Sequence, residues 1–494
     1  MREKTHTLII GTGFGGLGLA TQLKRAGDDD FILIDRADDV GGTWRDNRYP
    51  GAACDVPSHL YSYSFRLKPD WSRVFAPAEE IWLYLNETAR EEGLRPHIRF
   101  GADLVSAEWD DDSTVWRIET TNGHFECRVL VTAMGHLADA KYPPVPGLTE
   151  FTGTLMHSAE WNHDVDFTGK RVAVVGSGAS AIQITPSVAE MASEVVVLQR
   201  SAPYVIPRPD RAYTDAEKRA FARSPELMEE LRGDLFWGME YNYAQRRAIP
   251  SAIEQAYALA NGHREDQVSD PELAAKLTPD YVIGCKRVLL SNVYYPSLQQ
   301  PNVTLEAAGL ARVEGNTVIS TAGKSFEVDV LICATGFEAV EPPFGPLISA
   351  RGTSLTDHWS AGMRAFSSVT VAGFPNLFIM NGPNTGLGHN SVIFVVESQV
   401  GFITSALDYM RQNGVVVETR ATAEDAYVEA VRARSEGTVW LEGGCTNWYV
   451  DPRTHRLTVT WPDYAYAFRA SNGSFDVSAF TSFEVHRSEP LAGA

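Results

Sequence analysis

Two glycine-rich turns are the first features of this sequence that point to chemistry. One spans residues 11–16, Gly-Thr-Gly-Phe-Gly-Gly, and the other spans residues 176–181, Gly-Ser-Gly-Ala-Ser-Ala. A glycine turn between a strand and a helix lets backbone N–H groups approach a phosphate, and the helix N-terminus adds a positive dipole. In this context the two turns predict two dinucleotide-binding sites.

The residue that ends the second strand of each unit distinguishes the two ligands. Asp35 stands 24 positions after Gly11, and Arg200 stands 24 positions after Gly176. A carboxylate accepts hydrogen bonds from a ribose and repels a 2′-phosphate, which indicates FAD or NAD at Asp35. A guanidinium suits a 2′-phosphate, which indicates NADP at Arg200, with a solvated loop charge as the alternative. Two such sites predict electron transfer from NADPH to a bound flavin.

The elements around these turns predict an α/β fold with two Rossmann-like dinucleotide-binding domains (FAD and NADP) and a helical insertion. Short apolar runs at 8–10 and 31–34 flank the first turn, and runs at 171–175 and 195–198 flank the second. Runs of this length before a glycine turn are typical of buried strands. Both units therefore repeat the strand–turn–helix–strand order of a dinucleotide-binding fold.

Each half of the chain then repeats a hairpin and a buried strand. The hairpins are predicted at residues 122–123, Asn-Gly, and near residues 322–323, Ala-Gly. Asn-Gly is a strong signal for a two-residue hairpin turn. The strands, at 129–135 and 330–336, both close on a glycine. The repetition indicates two domains of one architecture.

Helix formers dominate residues 210–282, which predicts the helical insertion. Thr214 with Glu217 indicates a capping box, and Ser224 before Pro225 indicates a capped helix start. The tail after residue 447 is expected to form strands and loops. The chain is expected to divide into an FAD-binding domain, first part (1–148), an NADP-binding domain, first part (149–208), a helical insertion (209–283), an NADP-binding domain, second part (284–370), and an FAD-binding domain, second part (371–494).

The composition narrows the class of function. The 494-residue chain has a formal charge of −20, with 44% apolar and 21% charged residues. This acidic balance argues against nucleic-acid binding and against adsorption to anionic membranes, because both need clustered Lys and Arg. The apolar content is too high for a disordered chain.

The sequence predicts a cytoplasmic protein. The N-terminal apolar run has three residues before the glycines, which is too short for a signal peptide, and no membrane span of about 20 apolar residues is expected. The five cysteines form no CxxC pair. That pattern fits a reducing compartment and predicts neither a disulfide framework nor a metal site. The sequence leaves the oligomeric state open.

Three further motifs make the sequence similar to type I Baeyer–Villiger monooxygenases. Residues 151–162, FTGTLMHSAEWN, match the family fingerprint FxGxxxHxxxW(P/D), except that Asn162 replaces its final Pro or Asp. Residues 42–55 match the stretch GxWxxxx(F/Y)PGxxxD. A Lys-Arg pair at 286–287 precedes a Tyr-Tyr pair at 294–295. These matches stand in the family's order and span most of the chain.

The glycine turns and the resemblance together imply which residues hold FAD and NADPH. The residues implied for FAD are Gly11, Gly13, Phe14, Gly16, Asp35, Gly41, Gly42, Thr43, Trp44, Asp55, Val56 and Tyr61. Ala53 and Cys54, together with Asp55, are expected near the nicotinamide. The residues implied for NADP are Gly176, Ser177, Gly178, Ala179, Ser180, Ala181, Gln183, Arg200, Ser201 and Lys286, with Trp448 on a mobile loop that folds over the cofactor.

The resemblance also implies an NADPH- and O₂-dependent conversion of a ketone to an ester or lactone through a flavin C4a-peroxide. Arg287 would be the catalytic arginine, because a guanidinium stabilises a peroxyanion and the adduct's oxyanion without losing its proton. Asp55 would orient Arg287 and balance its charge. A purely structural ion pair between the two is the alternative. The expected partners are a small ketone and O₂.

Other functions are open at this point. The nearest is a flavin-containing heteroatom monooxygenase that makes S- or N-oxides, whose members usually lack the features at Arg287 and Trp161. A disulfide reductase with the same cofactors would need a redox CxxC pair, and a non-catalytic flavin sensor would not need the full set of motifs. His157 is expected to be structural, linking the two domains, rather than a proton carrier. The size of the ketone and the migrating carbon are not predicted.

Overall fold

The computed structural model describes residues 2–485, and its larger sheet contains the first glycine turn. In this nine-stranded sheet, Glu3–Ile10 lies between Phe31–Ile34 and Gly123–Thr132, parallel to both. Ile10 aligns with Ile34 on one side and with Thr132 on the other. The carboxyl ends of the three strands therefore meet at one edge, from which the turn at 11–16 emerges.

The smaller sheet contains the second glycine turn and is parallel throughout. Its five strands, in spatial order, are Val303–Glu306, Glu194–Leu198, Arg171–Val175, Val330–Cys333 and Thr154–His157. The inner strands are apolar and buried, as expected for a parallel sheet covered on both faces. Open α/β sheets bind ligands beyond the carboxyl ends of their strands, where both turns lie. The predicted fold class is confirmed.

The remaining strands either extend the larger sheet or form four small sheets of two or three strands, and the helices pack around them. The other strands are Ile98–Arg99, Leu104–Asp110, Val115–Thr120, Val205–Ile206, Leu289–Leu290, Leu310–Glu314, Thr317–Ser320, Ser325–Glu327, Ile348–Ala350, Thr353–Ser354, Leu377–Ile379, Val415–Thr419, Val450–Asp451, Arg456–Leu457 and Phe480–Glu484. The α-helices are Phe14–Arg25, Thr43–Asp46, Ala78–Glu91, Ala179–Ala189, Asp215–Arg223, Pro225–Glu240, Tyr243–Arg246, Pro250–Gln267, Pro271–Lys276, Tyr294–Ser297, Leu355–His358, Val392–Asn413, Ala421–Ser435, Val439–Glu442 and Ala465–Asn472.

Five of these helices form the predicted insertion. The capping box of Thr214 and Glu217 opens the first of them and is confirmed. Pro225 opens the second helix, as predicted, but the Ser224 side chain makes no capping hydrogen bond. The reason is that Ser224 also ends the preceding helix, where its N–H bonds to Ala220 O. Its predicted capping role is wrong.

Two other predictions of local structure are corrected. Thr120 pairs with Gly123, which places the hairpin loop at residues 121–122, one position before the predicted Asn-Gly turn. The tail after residue 447 contains the helix Ala465–Asn472 as well as strands and loops. The domain limits stay a prediction. Ile348–Ala350, which was expected in the second part of the NADP-binding domain, pairs with Leu104–Asp110 in the larger sheet.

The helix Val392–Asn413 lies in the core next to the larger sheet. It is long and apolar enough, by length and composition alone, to cross a membrane, and 56% of its most apolar window is buried inside the protein. Phe402, Ile403 and Ala406 pack with the first helix and the strands beneath it. A core helix passes the same test of composition, and the buried face assigns this helix to the core.

Candidate active site

A cleft of about 1110 Å³ opens where the carboxyl edges of the two sheets face each other. This volume exceeds that of ordinary single-ligand pockets, about 300–1,000 Å³. Every residue predicted to hold a cofactor lines it except Gly16 and Ala181. A Cβ on Gly16 would lie 1.9 Å from Gly11 O, so this glycine allows the helix to pack on the turn. Ala181 is fully buried beneath the second turn.

The two glycine turns have the chemistry of phosphate sites. Gly13 and Gly178 cap the helices Phe14–Arg25 and Ala179–Ala189, and neither helix has a side-chain cap or an acidic residue in its first turn. Their first N–H groups are therefore left for an anionic ligand. Apart from its own neighbours in the chain, no described residue has an atom within 4 Å of a Cβ built on Gly178, which leaves room for a phosphate beside the backbone. The residues present fit two dinucleotides.

Asp35 ends its strand at the edge of the cleft and is nearly buried. One carboxylate oxygen accepts from Thr12 N at 2.8 Å and from Thr12 Oγ1 at 2.6 Å. The other accepts from Arg45 Nη1 at 3.2 Å. Asp35 therefore ties the strand end to the glycine turn as well as facing the cleft, a role that the sequence spacing did not reveal.

Arg200, Ser201 and Lys286 meet at the second turn, although Lys286 lies far from the other two in sequence. Lys286 Nζ donates to Ser201 Oγ at 2.6 Å, and Ser177 Oγ donates to Ser201 O at 2.8 Å. Burial, and then the charge of Arg200, lower the pKa of Lys286. Two cations held this close together favour an anionic ligand between them.

Arg287 and Asp55 form a bidentate ion pair inside the cleft. Arg287 Nε donates to Asp55 Oδ2 at 2.6 Å, and Nη2 donates to Oδ1 at 2.7 Å. Burial alone would raise the pKa of Asp55, but the Arg287 guanidinium outweighs it and holds that pKa below its ordinary value. The Asp55 carboxylate in turn raises the pKa of Arg287. Among the described residues Nη1 has no hydrogen-bond partner, and it is free to meet a ligand.

Arg208, which the sequence did not single out, and Tyr49, the aromatic residue of the 42–55 motif, help to hold the segment before Asp55. Arg208 Nη2 donates to Cys54 O at 3.1 Å, and Tyr49 OH donates to Gln183 Oε1 at 2.9 Å. Gln183, which was predicted, donates through Nε2 to Ala53 O at 3.0 Å. The helix after the second turn therefore fixes the chain that carries Asp55. No sequence signal marks Arg208, because a single Arg between two prolines is not a motif.

The C-terminal loop reaches the cleft, and a disulfide holds it there. Trp448 is 38% exposed and lines the cleft, with its ring 6.0 Å from that of His136. Cys285 and Cys445 form a disulfide, with 160 positions between them. The expectation of no disulfide is therefore wrong, because a pairing across that separation leaves no local pattern. It links the loop to the segment that carries Lys286 and Arg287.

The remaining motif residues are packed in the interior. His157 is fully buried, accepts from Ala159 N at 3.1 Å, and has a pKa lowered by burial. Tyr294 and Tyr295 belong to the core of the smaller sheet. The buried position of His157 agrees with the structural role expected for it, and the tyrosine pair is part of the core.

Comparisons with known proteins agree with this site. Residues 4–216 match the family model described as flavin-binding monooxygenase-like. A Baeyer–Villiger monooxygenase of Streptomyces coelicolor is 42% identical over 487 residues, covering 97% of this chain and 93% of that protein. The closed crystal structure of cyclohexanone monooxygenase superposes with a TM-score of 0.87 at 26% identity, covering 98% and 100% of the two chains. OTEMO in complex with FAD and NADP gives 0.84 at 27% identity, covering 97% and 99%.

The two facing sheets, their glycine turns and the Arg–Asp pair define a flavin-binding oxidoreductase with two dinucleotide sites. The chain belongs to the Baeyer–Villiger monooxygenases, as its identity and coverage against the Streptomyces coelicolor enzyme establish. The family resemblance found in the sequence is confirmed.

The depressed pKa of Asp55 predicts a pH-dependent stability difference. Replacing Asp55 by Asn should lower the free energy of unfolding at pH 7 by about 1–3 kcal/mol, because Arg287 loses a charged partner. A carboxylate with a depressed pKa stabilises the fold above its unfolded pKa of about 3.9, and the stabilisation is lost as pH falls through the folded pKa. The melting-temperature gap between wild type and Asp55→Asn should therefore close in acid.

Melting curves from pH 7 to pH 3 test this expectation. Asp38→Asn is the control, because Asp38 is exposed and has no ion pair in the described part of the chain. A gap that stays constant down to pH 3 would contradict the stabilising role of the ionised Asp55.

The disulfide predicts a thiol count. Cys54, Cys127 and Cys333 are free, so denatured protein should titrate three thiols without reductant and all five after reduction. In Cys445→Ser the three free thiols plus Cys285 should give four without reductant. Five reactive thiols in the unreduced wild type would show that the bond is absent.

Proposed function

We propose that this protein is an FAD-dependent monooxygenase that uses NADPH and O₂ to convert a ketone to an ester or lactone. The observation that carries this proposal is the bidentate Arg287–Asp55 pair, set in the cleft between the two glycine turns. Reduced FAD supplies the activation of O₂, which no side chain performs. The chain supplies two binding sites, a fixed positive charge and a partly closed cleft.

Arg287 is the residue proposed to stabilise developing negative charge. Asp55 engages Nε and Nη2, which fixes the plane of the guanidinium and leaves Nη1 without a partner among the described residues. A preorganised donor of this kind needs no reorganisation when an oxyanion forms on the substrate. Its pKa is raised by Asp55, so it keeps its proton at any working pH. It therefore acts as a fixed electrostatic donor and not as an acid.

Arg200, Ser201 and Lys286 are proposed to hold the 2′-phosphate of NADPH. All three line the cleft beside the second glycine turn, and Lys286 donates to Ser201. Asp35 is proposed to face the adenosine ribose of FAD, where its ionised carboxylate disfavours a phosphate. Opposite charges at equivalent positions of the two domains thus assign each cofactor to one sheet.

The heteroatom monooxygenase is the less favoured candidate. Electrophilic oxygen transfer to sulfur or nitrogen has little need of a fixed cation, whereas Arg287 is held with two hydrogen bonds. A cytoplasmic location and independence from membranes and nucleic acid stay predictions, based on composition.

The Arg287→Ala variant should separate the two half-reactions. It should still accept electrons from NADPH, whereas ester formation should fall by about 10²–10³-fold, because one preorganised donor is lost. The measurement is mass spectrometry of products from a ketone panel under ¹⁸O₂, together with anaerobic flavin reduction. Absence of singly labelled ester from the wild type over the whole panel would refute the proposed function, and full ester formation by Arg287→Ala would refute the role of Arg287.

The Arg200→Ala variant should lose coenzyme discrimination. A hydrogen bond to a charged group is worth about 1.5–3 kcal/mol, so KM for NADPH should rise about 10- to 100-fold, while KM for NADH should hardly change. Arg312→Ala is the control, since this exposed arginine pairs only with Glu314 in the described residues. An equal rise in both KM values would show that Arg200 does not read the 2′-phosphate.

A further inference from the structure

Arg246 is a buried arginine without a counter-ion. It ends the short helix Tyr243–Arg246 of the insertion and is 6% exposed. Among the described residues, no carboxylate oxygen lies within salt-bridge distance of its guanidinium, which bonds instead to Gln245 Oε1 and, at 2.7 Å, to Gly388 O. An unpaired buried charge is costly, and its presence calls for an explanation.

The guanidinium lies where three segments of the chain meet. A Cβ on Gly284 would come within 2.8 Å of Arg246 Nη1, and a Cβ on Gly388 would come within 3.3 Å of Nε. Gly284 leads directly into Cys285, Lys286 and Arg287. Gly284 therefore makes room for Arg246, and Gly388 makes room for Arg246 and Trp440. Arg246 packs between the segment of the proposed catalytic arginine and the loop at 386–391.

The loop at 386–391, which we call the cleft loop, forms part of the wall of the site. Gly386, Leu387 and Asn390 line the cleft, and the helix Val392–Asn413 begins directly after the loop. Ser391 Oγ donates to Leu60 O at 3.2 Å, beside the predicted FAD residue Tyr61. The cleft loop thus belongs to the FAD side of the site.

A second residue of the insertion holds the next two positions of the cleft loop. Glu240 is 3% exposed, and its Oε1 lies 3.1 Å from His389 Nε2 and accepts from Asn390 Nδ2 at 2.7 Å. Three consecutive loop residues, 388–390, are therefore bonded to side chains of the helical insertion. Arg246 bonds to the backbone of this segment, and Glu240 bonds to two of its side chains.

We propose that Arg246 is a positioning residue that holds the cleft loop against the flavin and fixes its place relative to Arg287. This inference rests on the proposed function, in that FAD is taken to occupy the site beside the loop. The charge of Arg246 also adds to that of Arg287, since the two guanidinium groups are close enough for the charge of Arg287 to lower the pKa of Arg246. Burial lowers the pKa of Arg246 to about 10, and the residue stays charged at neutral pH.

The test compares Arg246→Met, Arg246→Lys and the matched control Arg247→Met in the holoenzyme. Arg247 is the adjacent arginine of the same chain segment and also donates to backbone carbonyls, of Arg434 and Glu436, but it is exposed and away from the cleft. The readouts are the FAD dissociation constant, the visible spectrum of the bound flavin and the melting temperature of the protein.

Arg246→Met should raise the FAD dissociation constant at least about tenfold, since a charge-assisted bond to the loop is lost. It should also shift the flavin spectrum, while Arg247→Met leaves both unchanged. Arg246→Lys keeps the charge and one donor, and it should lie between wild type and Arg246→Met. A merely structural role would lower the melting temperature without moving the spectrum.

A dissociation constant and spectrum in Arg246→Met within twofold of wild type, or an equal change in Arg247→Met, would overturn the proposal. If Arg246→Met does not fold, Glu240→Gln tests the same loop and should weaken FAD binding at least about threefold; unchanged binding would overturn the proposal. These readouts need no ketone. Failure of ester formation in the wild type would therefore refute the proposed function without deciding the role of Arg246.

Discussion

The ion pair between Arg287 and Asp55 is the constraint on which the rest of the site depends. The two residues stand 232 positions apart, and both side chains are only partly exposed, Arg287 at 34% and Asp55 at 26%. Charges in such a place are tolerated only when their geometry is good and the surrounding groups are satisfied. The chain therefore has to bring the loop after the first glycine turn and the segment after the insertion within hydrogen-bond distance of each other.

Several neighbouring contacts hold Asp55 and Arg287 in the positions that this ion pair needs. Arg208 and Gln183 hold the backbone at Ala53 and Cys54, so that Asp55 is presented from one side. On the other side, Arg287 follows Cys285, whose disulfide ties it to the C-terminal loop. Two loop segments that are far apart in the sequence are thereby fixed around one charge pair.

The charge balance of the cleft differs from that of the whole chain. The protein has a formal charge of −20, whereas seven acidic and seven basic side chains line the cleft, with Arg200, Lys286 and Arg287 among the basic ones. Positive groups collected inside an acidic protein attract phosphate-bearing ligands to one place and leave the outer surface repulsive to them. The helical insertion adds Arg246, whose guanidinium bonds to Gly388 O in the cleft loop.

The sequence alone determined the repeated units, their ligands and the family. Glycine spacing, Asp35, Arg200 and the motif around His157 are local patterns, because strands, turns and phosphate cradles are built from neighbouring residues. It also predicted the partnership of Asp55 with Arg287 through the resemblance. Local sequence signals were less accurate in two places. Ser224 ends one helix and precedes the next, and the hairpin loop at residues 121–122 lies one position before the predicted turn.

Only the tertiary structure decided the contacts between distant segments. The Cys285–Cys445 disulfide, the hold of Arg208 on Cys54 and the hold of Arg246 on Gly388 join positions that are 160, 154 and 142 residues apart. Such pairs carry no periodicity or spacing, because packing of whole elements brings them together. The sequence therefore determines which chemistry is present, and the packing of the two sheets with the insertion determines where each charge is held.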